Sequence, residues 1–296
     1  MTDASARRMI DDPTRIREVA TELVKLVRDA VPGPVPYPQD ELGRWQHMVG
    51  PAILCRSAGT LASMTLLLPD RHMIDALVLL RALYESIVTF AWIATEPAER
   101  VERWVASCKE DEIHTHNDWS EAGRPVRSPE EIAEYENSVR ETRNKFSLAR
   151  VDARGKWKDA LVPGVDVMAM KCDRHWGGVV RGWSPESRVG DPGDITGWHS
   201  SLRGLYRWIY RMGSSATHTG HRSLDPFVTA DGARLMVHSE DIAATLIPYG
   251  LGCYLLGLEI GVAEQAFGWP EYERAAQILG VYDSLFAQIT GDGRGG

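Results

Sequence analysis

Between Asp241 and Glu259 the chain runs from Ile242 to Leu258 without one charged side chain. A helix that lacks a polar face has to be covered on every side, by other protein or by lipid. The stretch is only about as long as the shortest membrane span, and Pro248 and several glycines interrupt it. It therefore reads as the buried centre of a helical protein. Ser57 to Leu68 is uncharged as well and is too short to cross a bilayer.

The rest of the sequence supplies helices to surround that centre. Pro13 opens TRIREVATELVKLVRDAV, where Ile16, Val19, Leu23, Val27 and Val31 form an apolar stripe at helical spacing. Prolines at 32, 34, 36 and 38 then forbid a helix and favour an extended linker. Residues 1–38 thus read as an N-terminal helix with a linker, an arm suited to packing on a neighbouring subunit. A short helix is expected from Glu41 to Met48. Pro51 opens a long apolar helix through Leu68, Pro69-Asp70 restarts another to about Thr95, and Pro97 starts a more polar one. Glu130 to Leu148 reads as an exposed helix whose early glutamates and late Arg140, Arg143 and Lys145 suit the helix dipole.

Beyond Val151 the pattern thins. A short helix is expected around Val165 to Cys172, followed by a long loop dictated by glycines and prolines from Gly177 to Gly197. Trp176 and Trp183 belong to that loop, which suits a packed functional lid. The Asp231-Gly232 pair between Phe227-Val228 and Leu235 to Val237 signals a small hairpin. Asp241 to Phe267 is the last long core helix, Glu271 to Ile289 a shorter one, and residues 290–296 a disordered tail. The expectation is an all-α bundle of about seven to nine helices, with a small β-hairpin and one long loop containing Gly, Pro and Trp. It occupies a single domain over residues 39–289.

Composition narrows the function classes. Hydrophobic residues make up 44% and charged residues 25%, ordinary for a soluble globular protein. The net charge of -8 provides no global attraction for nucleic acid, so any RNA contact must rest on a local basic patch. Cys55, Cys108, Cys172 and Cys253 are far apart and read as free thiols in a reducing cytoplasm. The opening MTDASARRMIDD lacks the apolar run of a signal peptide. A cytoplasmic protein without a membrane partner is expected. No nucleotide-binding glycine loop, nucleophile elbow or zinc-ligand cluster stands out, and no cofactor is expected.

The most site-like stretch is YRWIYRMGSSATHTGHR, Tyr206 to Arg222. As a helix it places Arg207, Arg211, Ser214, Ser215, His218 and Arg222 on one face, with Leu205, Trp208, Ile209 and Met212 opposite. Basic groups and hydroxyls on one stripe make an anion site, and a histidine there can move a proton near neutral pH. The alternative is a solvated helix face. In RALYES, Arg81 and Glu85 are four apart and can pair, either as a structural ion pair or as part of the same site. Asp111 and His114 are three apart, while Glu110 and His114 are four apart, so either pair can grip a metal ion. The chain offers no clean second copy of a Glu-x-x-His motif with which to complete a dimetal site.

RALYES and YRWIYRMGSSATH together resemble a widespread bacterial family of helical proteins without assigned function. Its members carry an Arg-x-Leu/Ala-x-Glu helix and a later Tyr-Arg-x-x-Ser-x-x-x-His helix. Here those positions are Arg81 and Glu85, then Tyr210, Arg211, Ser214 and His218. The likeness covers roughly Pro51 to Phe267. The second motif is also similar to the Arg-x(4–6)-His signature of HEPN domains, helical ribonucleases of bacterial toxin and phage-defence systems. That resemblance implies metal-independent RNA cleavage at a site assembled across a homodimer. His218 would move the protons, Arg211 would stabilise the phosphorane, and Ser214 would orient the phosphate. Arg207, Ser215, Arg222, Tyr210, Arg81 and Glu85 are the further candidates for substrate binding. In HEPN motifs a polar residue commonly follows the arginine, and here that residue is Met212.

Two other classes fit the same residues. One is an enzyme for a small polar or anionic molecule, with Arg81, Glu85, Arg211, Ser214 and His218 lining a closed pocket under the tryptophan loop. The other is a non-catalytic helical binding or sensing protein. An open basic face favours the ribonuclease, and a closed pocket favours the small-molecule enzyme.

Overall fold

The uncharged stretch does form a helix, and its described side chains from 246 to 258 are all buried. In the computed structural model it runs from Ile242 to Phe267 (α9), with Leu246, Tyr249, Leu251, Cys253, Leu255, Leu256 and Leu258 all buried. The structure describes residues 13–31, 40–69, 72–154, 157–182, 201–217 and 242–268, together with Ala275 and Ile278. Within these residues the elements are α1 (Pro13–Ala30), a short α2 (Glu41–Arg44) continuing into a π-helical turn (Trp45–Val49), α3 (Gly50–Leu67), α4 (Met73–Thr95), α5 (Pro97–Glu121), α6 (Pro129–Lys145), α7 (Val165–Gly182), α8 (Leu202–Thr217) and α9. The all-α class holds. No strand occurs among the described residues, and Val151 and Trp157 form an isolated antiparallel bridge. The hairpin expected over 227–237 falls outside the described residues, as does most of the helix expected from Glu271.

The chain divides into two compact units. One comprises residues 1–36, 50–94 and 165–296, and the other residues 37–49 and 95–164. In the first, α9 packs on α1, α3 and α7, and α1 also lies along α3. The stripe read from the sequence is what α1 buries: Ile16, Val19, Leu23 and Val27, joined by Ala20 and Leu26. Burying a side chain of this size contributes about 1.5–3 kcal/mol each, so α1 belongs to the core of its own chain and does not stand off as an arm. Gly252 lets α9 approach α3, because a Cβ there would lie 3.0 Å from Leu61 and 3.3 Å from Met64. By length and composition α4 is apolar enough to cross a membrane, but 67% of its most apolar stretch is buried inside the protein.

One expectation is corrected. The short helix ending near Cys172 runs on through Gly177 and Gly178 to Gly182. Trp176 is therefore helical, not part of a loop, and its indole N–H donates to Ala91 O of α4 at 2.9 Å. Docking of that buried ring outweighs the roughly 1 kcal/mol by which each glycine disfavours a helix. Trp183 lies outside the described residues.

In the second unit, α5 and α6 pack through Ala106, Val139 and Leu161. Ser128 and Glu131 form a reciprocal capping box that starts α6. The helix is not simply an exposed charged one. Arg143 is fully buried, and its guanidinium donates to both carboxylate oxygens of Glu110 at 2.7 Å and to the carbonyls of Asp159 and Leu148 at 2.6 and 3.4 Å.

Candidate functional site

The Arg81–Glu85 spacing makes the expected pair, with Arg81 Nε donating to Glu85 Oε1 at 3.0 Å within α4. Its Nη2 reaches across to α8 and donates to the phenolic oxygen of Tyr210 at 3.0 Å. The guanidinium carbon also sits 4.1 Å from the centre of that ring, a cation–π contact. Two motifs 129 residues apart in sequence thus meet in space. The pair is half-open: the Arg81 side chain is 22% exposed and that of Glu85 37%.

Several groups fix α8 in this position. Asp173 of α7 accepts from the backbone N–H groups of Leu202 and Arg203 at 2.6 and 3.0 Å, and Ser201 Oγ accepts from Gly204 N at 2.9 Å. These bonds satisfy donors that a helix start leaves unpaired. Burial still pushes the Asp173 carboxyl above its ordinary range, although both backbone N–H groups oppose the rise. The Tyr84 hydroxyl, itself raised mainly by burial, donates to Leu202 O at 2.6 Å. Tyr84, Tyr206 and Tyr210 follow one another with ring centres 6.4 and 4.8 Å apart, so the aromatic run ends on Arg81. Leu205 and Ile209 are buried on the core side of α8, as their spacing predicts.

Gly213 sets the approach of the two helices. A Cβ there would fall 2.8 Å from Arg81 Cβ and 3.1 Å from Leu77 O. Neither atom is the far end of a flexible side chain, so the helices must separate to admit it. Gly213→Ala is expected to cost about 1–3 kcal/mol and to weaken the Arg81–Tyr210 contact. Urea denaturation measures the first effect and near-ultraviolet tyrosine dichroism the second.

The other expected site residues are placed as follows. Ser214 is half-buried and Arg207 exposed, both on α8. Arg211 and Ser215 lie in α8 with side chains outside the described residues, and His218 and Arg222 are wholly outside them. Asp111 and His114 are both exposed on α5, and Glu110, the other carboxylate near His114, is held by Arg143. Among the described residues no group of three or more His, Cys, Asp or Glu side chains could hold a metal ion. Asp173, Tyr84, Tyr206 and Gly213 were not singled out from the sequence. Only Gly213 left a trace there, as a glycine inside a helical pattern.

The sequence model of a family of unknown function, DUF5677, matches residues 47–234. The chain belongs to that family. The match takes in α3 to α8 and hence both halves of the Arg81–Tyr210 contact, so the site lies within the part of the fold that defines DUF5677. No curated protein matches the chain, and no solved structure does.

Proposed function

We propose that this DUF5677 protein is a HEPN-like, metal-independent ribonuclease whose site lies on the face shared by α4 and α8. The observation that supports this most is the Arg81–Tyr210 hydrogen bond, which ties the α8 motif that carries the HEPN resemblance to the Arg81–Glu85 pair of α4. The exposure of Glu85 favours an open face over a closed small-molecule pocket. In the proposed reaction His218 takes the proton from a ribose 2′-hydroxyl, whose oxygen attacks the adjacent phosphorus. Arg211 stabilises the charge on the phosphorane, and Ser214 orients a phosphate oxygen. The bond from phosphorus to the 5′-oxygen breaks, that oxygen takes up a proton, and the products are a 2′,3′-cyclic phosphate and a 5′-hydroxyl. His218 from a second copy is the candidate donor of that proton, in a homodimer with two α8 helices facing each other.

Arg81, Glu85 and Tyr210 act in this scheme by holding α8 in register. Tyr210→Phe removes the phenolic acceptor of the Arg81 bond and leaves the ring. It is expected to lower RNA cleavage about 10-fold with little change in thermal stability, since a lost hydrogen bond here is worth on the order of 1 kcal/mol. Unchanged cleavage by Tyr210→Phe would separate the two motifs functionally.

A further inference from the structure

Several described arginines of this acidic chain are paired with carboxylates. Arg100 is paired with Glu96, Arg103 with Glu99, Arg127 with Glu112, Arg143 with Glu110 and Arg150 with Asp159. Other exposed arginines, such as Arg17, Arg56 and Arg140, form no salt bridge among the described residues either; Arg203 and Arg207 are set apart by their place on α8. Both are exposed on α8, one helical turn apart, and neither forms a salt bridge among the described residues, although Arg203 interacts electrostatically with Asp173. Asp173 is the acid nearest in role to Arg203, and its two oxygens are taken by backbone N–H groups.

Positions 203, 207, 210 and 214 follow spacings of four, three and four, which place them in one row along the helix. Tyr210 and Ser214, the latter half-buried, continue the row begun by the two arginines. From Arg203 to Ser214 the row is about 16 Å long, longer than a single phosphate group needs. The faces of Tyr206 and Tyr210 are turned to one another and to Tyr84 and Arg81, so the row offers charge and hydroxyls more than open rings for stacking.

We infer that Arg203 and Arg207 form a phosphate track that holds the backbone of single-stranded RNA on its way to the α4–α8 site. The inference rests on the ribonuclease reading for its direction, and it adds Arg203 as a binding residue. It would let a chain of net charge -8 hold a polyanion through a local pair of exposed guanidinium groups. An exposed arginine makes planar, two-pronged contacts with phosphate oxygens, so Arg→Lys should rescue binding only in part.

Binding is measured without cleavage, using a fluorescent 2′-O-methyl oligoribonucleotide that lacks the attacking hydroxyl, over a range of salt concentrations. Arg203→Gln/Arg207→Gln is expected to weaken binding by at least about 10-fold. It should also flatten the dependence of log affinity on log salt by roughly 1 to 1.5, the contribution of two phosphate contacts. Arg17→Gln, an exposed arginine of α1, serves as control and should change neither. Absence of oligonucleotide binding by the wild type, or equal losses in the double variant and the control, would overturn the track. Binding that depends on both arginines, in a protein that never cleaves RNA, would sustain the track and defeat the ribonuclease reading.

Discussion

Replacing Glu259 by Gln is expected to stabilise the protein strongly at pH 8.5 and to change it little at pH 5. Glu259 sits on α9 with no exposure, and neither carboxylate oxygen has a hydrogen-bond partner. The nearby Ser57 hydroxyl, which opposes the shift, donates instead to Ser86 Oγ at 3.0 Å. Desolvation therefore dominates and pushes the carboxyl up to about 8. The folded protein keeps this proton across a range in which the unfolded chain has already lost it. The protonated group stabilises the fold fully at pH values below the ordinary glutamate range, and the contribution is lost as pH rises towards 8. A difference of that size is on the order of 5 kcal/mol. Melting curves of wild type between pH 5 and 9 should fall in midpoint, while those of Glu259→Gln should stay nearly level. Asp173, also raised by burial, leaves a smaller slope of the same sign in both. Parallel curves for the two proteins would show that Glu259 finds a partner or water when it ionises.

A comparable loss is expected at the buried ion pair of the second unit. Arg143 is 2% exposed and Glu110 24%, and the guanidinium also stacks 4.8 Å from the centre of the Trp157 ring. Glu110→Ala strands a buried cation on two carbonyl oxygens, which is expected to cost about 3–5 kcal/mol. Replacing both partners, as in Glu110→Leu/Arg143→Met, removes the charge along with its counter-charge and should recover most of that loss. Urea denaturation of the three proteins separates these cases. A loss below about 1 kcal/mol for Glu110→Ala would place the pair in the range of surface salt bridges and contradict the buried role.

Much of the helical frame was legible, because helix period and proline punctuation are local signals. The stripe of α1 and the Arg81–Glu85 pair follow from spacings of three and four, and the start of α5 from its proline. What the sequence hid depends on distant partners. Trp176 looked like part of a lid because glycines follow it, and only its contact with Ala91 explains why the helix continues. Arg143 looked like a favourable charge at a helix end, and the deep pairing with Glu110 lies 33 residues away. The helix was expected to run past Glu259 to Phe267, but the full burial of that carboxylate was not legible, because it depends on the helices packed around α9. The contact of Arg81 with Tyr210 joins two motifs whose proximity neither one states alone. Arg203 escaped notice because it precedes the motif that drew attention to α8.

The most direct test of the central claim is RNA cleavage in EDTA by wild type, His218→Ala and Arg211→Ala, with the product ends identified. Cleavage by wild type to 2′,3′-cyclic phosphate and 5′-hydroxyl ends is predicted, with a loss of at least about 100-fold in each variant. Variants that remain folded and cleave as well as wild type, or a wild type that leaves RNA intact, would contradict it.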